Sequence, residues 1–88
     1  MKYVIFNQNG LMHPVLFADH TSHTQIALEG STAVSAGFVR FKGLLNEPEC
    51  YGHSTSLKLD SRPKEDAEII RRWQQNLGTS SFIDYDSL

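Results

Sequence analysis

The sequence contains only one cysteine, Cys50, among its 88 residues. A lone cysteine cannot form a disulfide within the chain, so the fold does not depend on an oxidising compartment. A strong charge of either sign is also lacking, because eight Lys and Arg residues face ten Asp and Glu residues and the net charge is −2. This balance separates the chain from basic domains that bind nucleic acid by neutralising phosphates, and from acidic mimics of a duplex.

Long apolar runs are absent as well. Lys2 is followed by only four apolar residues, YVIF, whereas a signal-peptide core needs about 7 to 15 and a membrane span about 20. We therefore expect a cytoplasmic protein without a membrane segment. With 40% hydrophobic residues and no linker or repeat, residues 1–88 fit one compact domain.

Two short runs of β-forming residues are present near the N-terminus, YVIF at 3–6 and PVLFA at 14–18. The dipeptide Asn9-Gly10 between them is a strong indication of a tight hairpin turn. Both runs are apolar at odd and at even positions, which is typical of strands that are covered on both faces. We predict two paired strands at the centre of a sheet.

Two further strands are predicted after residue 30. TAVSAGFVRF at 32–41 is the third, and its alternation changes phase near Gly37, where we expect a bulge. KGLLNEPE at 42–49 has the composition of a loop. CYGHSTSLKL at 50–59 is the fourth. A continuous strand there would place five residues on one face: Tyr51, His53, Thr55, Leu57 and Leu59.

Helix signals occur twice. SHTQ at 22–25 has the form of a capping box, and Gly30 would end a helix of about seven residues, so we predict a short helix or a single helical turn. The segment 60–78 predicts a long helix capped by Asp60 or Ser61. Its apolar stripe consists of Ala67, Ile70, Trp73 and Leu77.

These elements predict an α+β fold. Four antiparallel strands would form a small sheet, in the chain order ββαββα, with the C-terminal helix packed across one face. The tail TSSFIDYDSL at 79–88 would add a fifth edge strand or remain mobile.

Four residues could hold a metal ion. His20 and His23 form the pair HTSH, and Cys50 and His53 form the pair CYGH. Zinc is commonly bound by two such close pairs. However, residues three apart in a strand point to opposite faces, and structural zinc sites normally contain more cysteine. A zinc or small-ligand site at these positions is therefore an alternative to histidines that are structural or lie on the surface.

Catalytic patterns are missing. GHSTS places Ser54 beside His53, but adjacent strand residues point to opposite faces, and the segment does not fit the G-x-S-x-G nucleophile elbow. A lone cysteine such as Cys50 is usually a small buried apolar residue. EGSTAVSAG has neither the lysine of a phosphate-binding loop nor the spacing of a dinucleotide site. We expect no enzyme activity and no cofactor.

Nucleic-acid contact is a weaker alternative. Its candidate residues are Arg40 and Lys42 on the third strand and Arg71 and Arg72 on the long helix. Glu68 and Asp66 offset the two helical arginines, so a solvated helix face is the favoured explanation of them. A single-strand binder would also need exposed aromatic rings beside its basic groups.

Three segments, HPVLFADHTSH, SAGFVRF and CYGHSTSLKLDSRPKEDAEII, follow one another in an order that resembles a group of short hypothetical proteins of tailed phages and prophages. The resemblance spans roughly residues 3–72 and brings no known chemistry with it. It implies a bacterial cytoplasmic setting and an accessory role. Together with the missing catalytic patterns, it favours a non-enzymatic binding module that recognises a host or phage protein. Homodimerisation stays open.

Overall fold

The computed structural model describes residues 1–77 and 83–84. Seven strands form, as follows: β1 (Lys2–Gln8), β2 (Leu11–Phe17), β3 (Thr32–Lys42), β4 (Glu47–Tyr51), β5 (His53–Ser54), β6 (Leu59–Asp60) and β7 (Ile83–Asp84). The described residues also form one α-helix, α1 (Pro63–Leu77), and a 3-10 helix at His23–Gln25. None of the described helices is long and apolar enough to cross a membrane.

The main sheet has the order β4-β3-β1-β2-β7. Strands β1 to β4 pair in antiparallel fashion, whereas β7 joins the edge of β2 in parallel. β5 and β6 pair with each other in a second, two-stranded sheet. The predicted α+β class, the four-stranded antiparallel sheet, the helix near the C-terminus and the fifth edge strand are all confirmed. The predicted mobility of 79–88 concerns residues that, apart from Ile83–Asp84, lie outside those described.

Both faces of the main sheet are covered, as the apolar runs of β1 and β2 predicted. The core beneath α1 is made of Tyr3, Ile5, Leu16, Val39, Cys50 and Ile70. The core on the opposite face is made of Val4, Phe6, Val15, Phe17, Ile26 and Ala36, and Leu57 and Leu59 of the β5–β6 hairpin pack against it. β1, β2 and β3 therefore each contribute to both cores.

The phase change in β3 is present, but its predicted position is wrong. Ile5 of β1 pairs with Ser35 and Phe6 pairs with Ala33, so Val34 is the extra residue of the bulge. Val34 then packs against the core beneath α1. The bulge was expected at Gly37, but this glycine instead allows β4 to approach β3 closely. A Cβ at Gly37 would lie 2.6 Å from the backbone oxygen of Tyr51.

The segment 50–59 is not one strand, which corrects the prediction. β4 ends at Tyr51, and Gly52 turns the chain with a φ of +75°. A Cβ on Gly52 would lie 2.9 Å from the Phe38 ring, so this position requires glycine for two reasons. After the turn the chain folds back over the second core, where Ser54 is buried and His53 is exposed. The predicted five-residue face therefore does not exist.

The predicted loop 42–49 is shorter than expected. Lys42 already pairs with Glu47, which leaves a four-residue hairpin loop, Gly43–Asn46. Its turn is closed by the Asn46 N–H, which donates to Gly43 O at 3.2 Å. β3 continues past the start of β1, where Lys2 pairs with Phe38, so the β3–β4 hairpin extends beyond the central strands.

The predicted seven-residue helix is only the 3-10 helix His23–Gln25. Its capping box at Ser22 is present, but Ile26 is already extended, with φ −98° and ψ 125°. The Ile26 side chain is buried in the second core, and a short isolated helix has too little stability of its own to compete with that burial. Of the two predicted alternatives, the single helical turn is confirmed and the seven-residue helix is wrong.

The long helix α1 begins later than predicted. Arg62 O accepts the first helical hydrogen bond, from the Asp66 N–H at 2.8 Å, so Arg62 occupies the N-cap position. Asp60 and Ser61 do not cap the helix; the Ser61 hydroxyl donates instead to Gly52 O at 2.7 Å. Of the predicted apolar stripe, Ala67 and Ile70 join the core, and the Trp73 indole N–H donates to a backbone oxygen of β2. The Leu77 side chain lies outside what the structure describes.

Candidate functional site

A buried carboxylate links the helix to the sheet. Asp66 is fully buried, and its Oδ2 accepts from the Tyr3 hydroxyl at 2.5 Å and from the Arg62 N–H at 2.8 Å. Its Oδ1 accepts from the Ser35 hydroxyl at 2.7 Å, and the Arg62 guanidinium lies 3.2 Å away. Burial, and next the hydrogen bond to Asp66, raise the pKa of the Tyr3 phenol above its usual range. Both carboxylate oxygens of Asp66 have hydrogen-bond partners and neither is exposed to solvent, so the role of Asp66 is structural.

Cys50 lies in the same core and is buried. Burial, and next the charge of Asp66, raise the pKa of its thiol to about 12. A buried, protonated thiol is a weak nucleophile at neutral pH, because the reactive form is the thiolate. The interpretation of Cys50 as a small buried apolar residue fits this environment.

His23 lies on the other side of the sheet and is also buried. Its Nε2 is 3.0 Å from Gly37 O, and because a carbonyl only accepts, the Nε2–H donates. The ring meets Phe17 and Phe38 edge-on, with centroid separations of 5.4 and 6.0 Å. Burial lowers the pKa of His23 below its usual value. The neutral imidazole is thus a packed core residue.

The four candidate zinc ligands are not brought together. Cys50 belongs to the core beneath α1, whereas His23 packs on the opposite face of the sheet. His53 shares a groove with His23, and His20 is an exposed residue before the 3-10 helix. Within residues 1–77 and 83–84, no group of three or more His, Cys, Asp or Glu side chains is arranged to hold a metal ion.

The candidate nucleic-acid residues form two separate ion-pair clusters. Arg40 and Lys42 both pair with Glu49, the latter through an Nζ–Oε2 distance of 2.5 Å. Arg71 and Arg72 both pair with Glu68 on α1.

In each cluster the hydrogen bonds and charges of the two cations lower the pKa of the shared carboxyl. A carboxylate therefore offsets part of the positive charge in both clusters.

The β3–β4 hairpin carries the most exposed apolar side chains among the described residues. Leu44 and Leu45, in the loop Gly43–Asn46, have relative exposures of 102% and 83%. The Gln74 amide donates to Asn46 O at 3.3 Å and so connects the loop to α1. The two adjacent leucines in the predicted loop 42–49 were the available indication of this exposed tip.

A groove opens between the main sheet, the 3-10 helix and the β5–β6 hairpin. Its volume is about 510 Å³, and we refer to it below as the aromatic groove. Its lining residues are Lys2, His23, Phe38, Tyr51, Gly52, His53, Thr55 and Ser56. The sequence indicated His23 and His53 for another reason, but the turn at Gly52 that brings these segments together was not predicted.

In comparisons with known proteins, no family model, no curated protein and no solved structure matches this chain. The resemblance to short phage proteins therefore stays a prediction.

Proposed function

We propose that this chain is a non-enzymatic binding module whose β3–β4 hairpin inserts Leu44 and Leu45 into an apolar pocket of a partner protein. The observation that carries this proposal is the nearly complete exposure of two adjacent leucines at a hairpin tip. Neither leucine contributes to the cores of the folded chain. Full burial of each leucine side chain would contribute about 1.5 to 3 kcal/mol of favourable free energy. Folding does not bury these side chains, whereas contact with another protein would.

The surroundings of the tip define the chemistry of the partner. The loop Gly43–Asn46 carries no charge, whereas Lys42 and Glu47 face each other directly at its base. Protein interfaces usually have an apolar centre surrounded by a rim of polar and charged residues. The complementary surface is therefore an apolar pocket with charged residues of both signs around it.

Insertion of the tip is favoured over addition of a strand. β4 is an edge strand of only five residues, and Pro48 within it has no N–H to donate. Short edge strands with proline pair poorly with a further strand. The tip is also held in place by the turn within the loop and by Gln74, which reduces the entropy lost on binding.

A role without catalysis is supported by the placement of the reactive groups. Tyr3, Cys50 and Asp66 are all enclosed in the core beneath α1, away from substrates. On the basis of the phage resemblance, we propose that the partner is a host or phage protein in the bacterial cytoplasm.

Site-specific photocrosslinking tests the proposal. A photoreactive phenylalanine analogue would replace Leu45 in one protein and Glu65, an exposed residue of α1, in a second protein, both expressed in infected or lysogenic cells. We expect one protein to be crosslinked from position 45 and not from position 65. That protein is then purified, and its dissociation constant is measured for the unmodified chain and for Leu44→Ser and Leu45→Ser.

Each serine variant should weaken binding roughly tenfold or more, because the apolar gain of one leucine is lost. Leu11→Ser is the matched control, since Leu11 is also exposed but lies beside the turn at the other end of the sheet. Equal weakening by Leu11→Ser, or no weakening by the tip variants, would contradict the proposal. Crosslinking to a second copy of this chain, with a dimer that Leu45→Ser dissociates, would replace it with self-association.

A further inference from the structure

We infer that the aromatic groove binds a small ligand that combines a planar aromatic ring with an anionic group, such as a molecule of mononucleotide size. This site is separate from the hairpin tip. The groove's volume of about 510 Å³ lies within the range of about 300 to 1,000 Å³ that is usual for small-molecule sites.

Three rings line one side of the groove. Phe38 and Tyr51 are direct cross-strand partners, with centroids 5.8 Å apart and planes inclined by 23°. His23 meets Phe38 edge-on. The Arg40 guanidinium lies over the Tyr51 ring, 5.3 Å from its centroid, and Tyr51 is still 42% exposed. The exposed part of the ring lines the groove, where it can contact the ring of a ligand.

The charge of the groove favours an anion. Lys2 is among its lining residues, and none of the eight lining residues is acidic, although the chain has ten acidic residues. The Lys2 ammonium donates to Thr21 O at 3.0 Å, which leaves its other N–H groups for a ligand. The exposed hydroxyls of Thr55 and Ser56 add further donors.

The floor of the groove is fixed before any ligand binds. Gly52 O accepts from both the hydroxyl and the N–H of Ser61, at 2.7 and 3.2 Å. The Phe38 ring fills the space beside Gly52 in which a side chain would otherwise lie. A preorganised surface loses little conformational entropy on binding.

A small anion fits better than a nucleic-acid strand. Arg40, which lies over the Tyr51 ring, and Lys42 are both paired with Glu49, so the positive charge at Lys2 is local. A strand would need cations that continue along its backbone. Two imidazoles without a third metal-binding side chain also do not constitute a zinc site.

Titration of the ¹⁵N-labelled chain, followed by NMR, tests this inference. The probes are uridine 5′-monophosphate and indole-3-acetate as aromatic anions, uridine as the neutral ring, and inorganic phosphate as the anion alone. We expect both aromatic anions to shift the amides of Gly52, His53 and Ser56, with dissociation constants below about 5 mM. Uridine and phosphate should bind at least about tenfold more weakly, because each lacks one of the two contacts.

Ser56→Asp is the most direct variant, because it introduces a carboxylate at an exposed lining position. It should weaken binding of both aromatic anions about tenfold or more, whereas Ser56→Ala should not. Tyr51→Ala should weaken binding similarly, and Tyr51→Phe should not. Lys64→Gln removes one positive charge on α1 and is the control for net charge.

Several results would overturn the inference. They are no saturable shift with either aromatic anion, equal binding of inorganic phosphate, and unchanged binding by Ser56→Asp. Much tighter binding of a single-stranded oligonucleotide that depends on Arg71 and Arg72 would replace it with strand binding. The variant Leu45→Ser should leave the titration unchanged, which separates this site from the hairpin tip.

Discussion

The hydroxyl of Tyr3 donates a hydrogen bond of 2.5 Å to Asp66, a residue 63 positions further along the chain. This contact joins the central strand β1 to the first turn of α1. The same carboxylate accepts from Ser35 of β3 and from the N–H of Arg62, which precedes the helix. One buried side chain therefore sets the position of α1 on two strands and also caps the helix.

Replacing Asp66 should be the most damaging single change in this network. Asp66→Ala leaves the Tyr3 and Ser35 hydroxyls and the Arg62 guanidinium without their acceptor, so we expect a loss of about 3 to 5 kcal/mol in the free energy of unfolding. Tyr3→Phe removes one charge-assisted hydrogen bond and should cost about 1.5 to 3 kcal/mol. Urea denaturation measures both values. Glu65→Ala, at an exposed position in the same turn, is the control and should change stability by less than about 0.5 kcal/mol.

From the sequence alone, Asp66 is only an acidic residue within the predicted helix segment 60–78. The burial of Asp66 depends on Tyr3 and Ser35, which are distant from it in the chain. No periodicity within 60–78 indicates that Asp66 contacts these two residues. By contrast, β1, β2 and α1 could be predicted, because their apolar residues recur at the spacing that each element itself requires. Apolar and polar residues also alternate in the segment 50–59, but the strand is interrupted by the turn at Gly52, which packs against Phe38.

The candidate surfaces were less predictable than the fold. Leu44 and Leu45 could equally have been buried under their loop, because turn residues on either side do not determine the exposure of the residues between them. The aromatic groove requires Tyr51 and His53 to lie on either side of a sharp turn. The predicted continuous strand 50–59 would have placed both side chains on one face of the sheet. The groove could therefore not be predicted while the end of β4 at Tyr51 was unknown.

The stability of the fold should depend on pH through His23. Burial lowers the pKa of His23 in the folded chain below its ordinary value of 6.5. Above that pH the ring is neutral in both states. Below it the unfolded chain takes up a proton that folded His23 does not, so the free energy of unfolding decreases until the folded pKa is reached.

Urea denaturation between pH 7.5 and pH 5 measures this effect, with a slope of at most about 1.4 kcal/mol per pH unit. His23→Gln keeps a donor for Gly37 O but cannot take up the proton, so its slope in this range should be smaller. His53→Gln replaces an exposed histidine and should keep the slope of the unmodified chain. The same slope in both variants would show that another group is responsible.

Cys50 should resist alkylation in the folded chain. Its thiol is buried and its pKa is raised to about 12, so very little thiolate exists at pH 8. We expect iodoacetamide to label Cys50 only when the chain unfolds, and mass spectrometry after timed exposure measures the rate. In about 6 M guanidinium chloride, labelling should be complete within minutes. Fast labelling without denaturant, at a rate independent of stability, would contradict the burial of this residue.

Gly37 should tolerate no side chain, although its backbone conformation is an ordinary one. A Cβ at this position would lie 2.6 Å from Tyr51 O and 3.2 Å from the Ser61 Cβ, and neither atom belongs to the flexible end of a side chain. Gly37→Ala should therefore force β4 away from β3 and cost about 1 to 3 kcal/mol, with changed amide shifts at Tyr51 and Gly52. Gly43→Ala, at a glycine with open space around it, provides the comparison, because it tests backbone strain without a steric clash. If Gly37→Ala were as stable as the unmodified chain and kept the Tyr51 amide shift, the close approach of β3 and β4 would be wrong. The shape of the aromatic groove would then also be wrong, because Tyr51 lines that groove from β4.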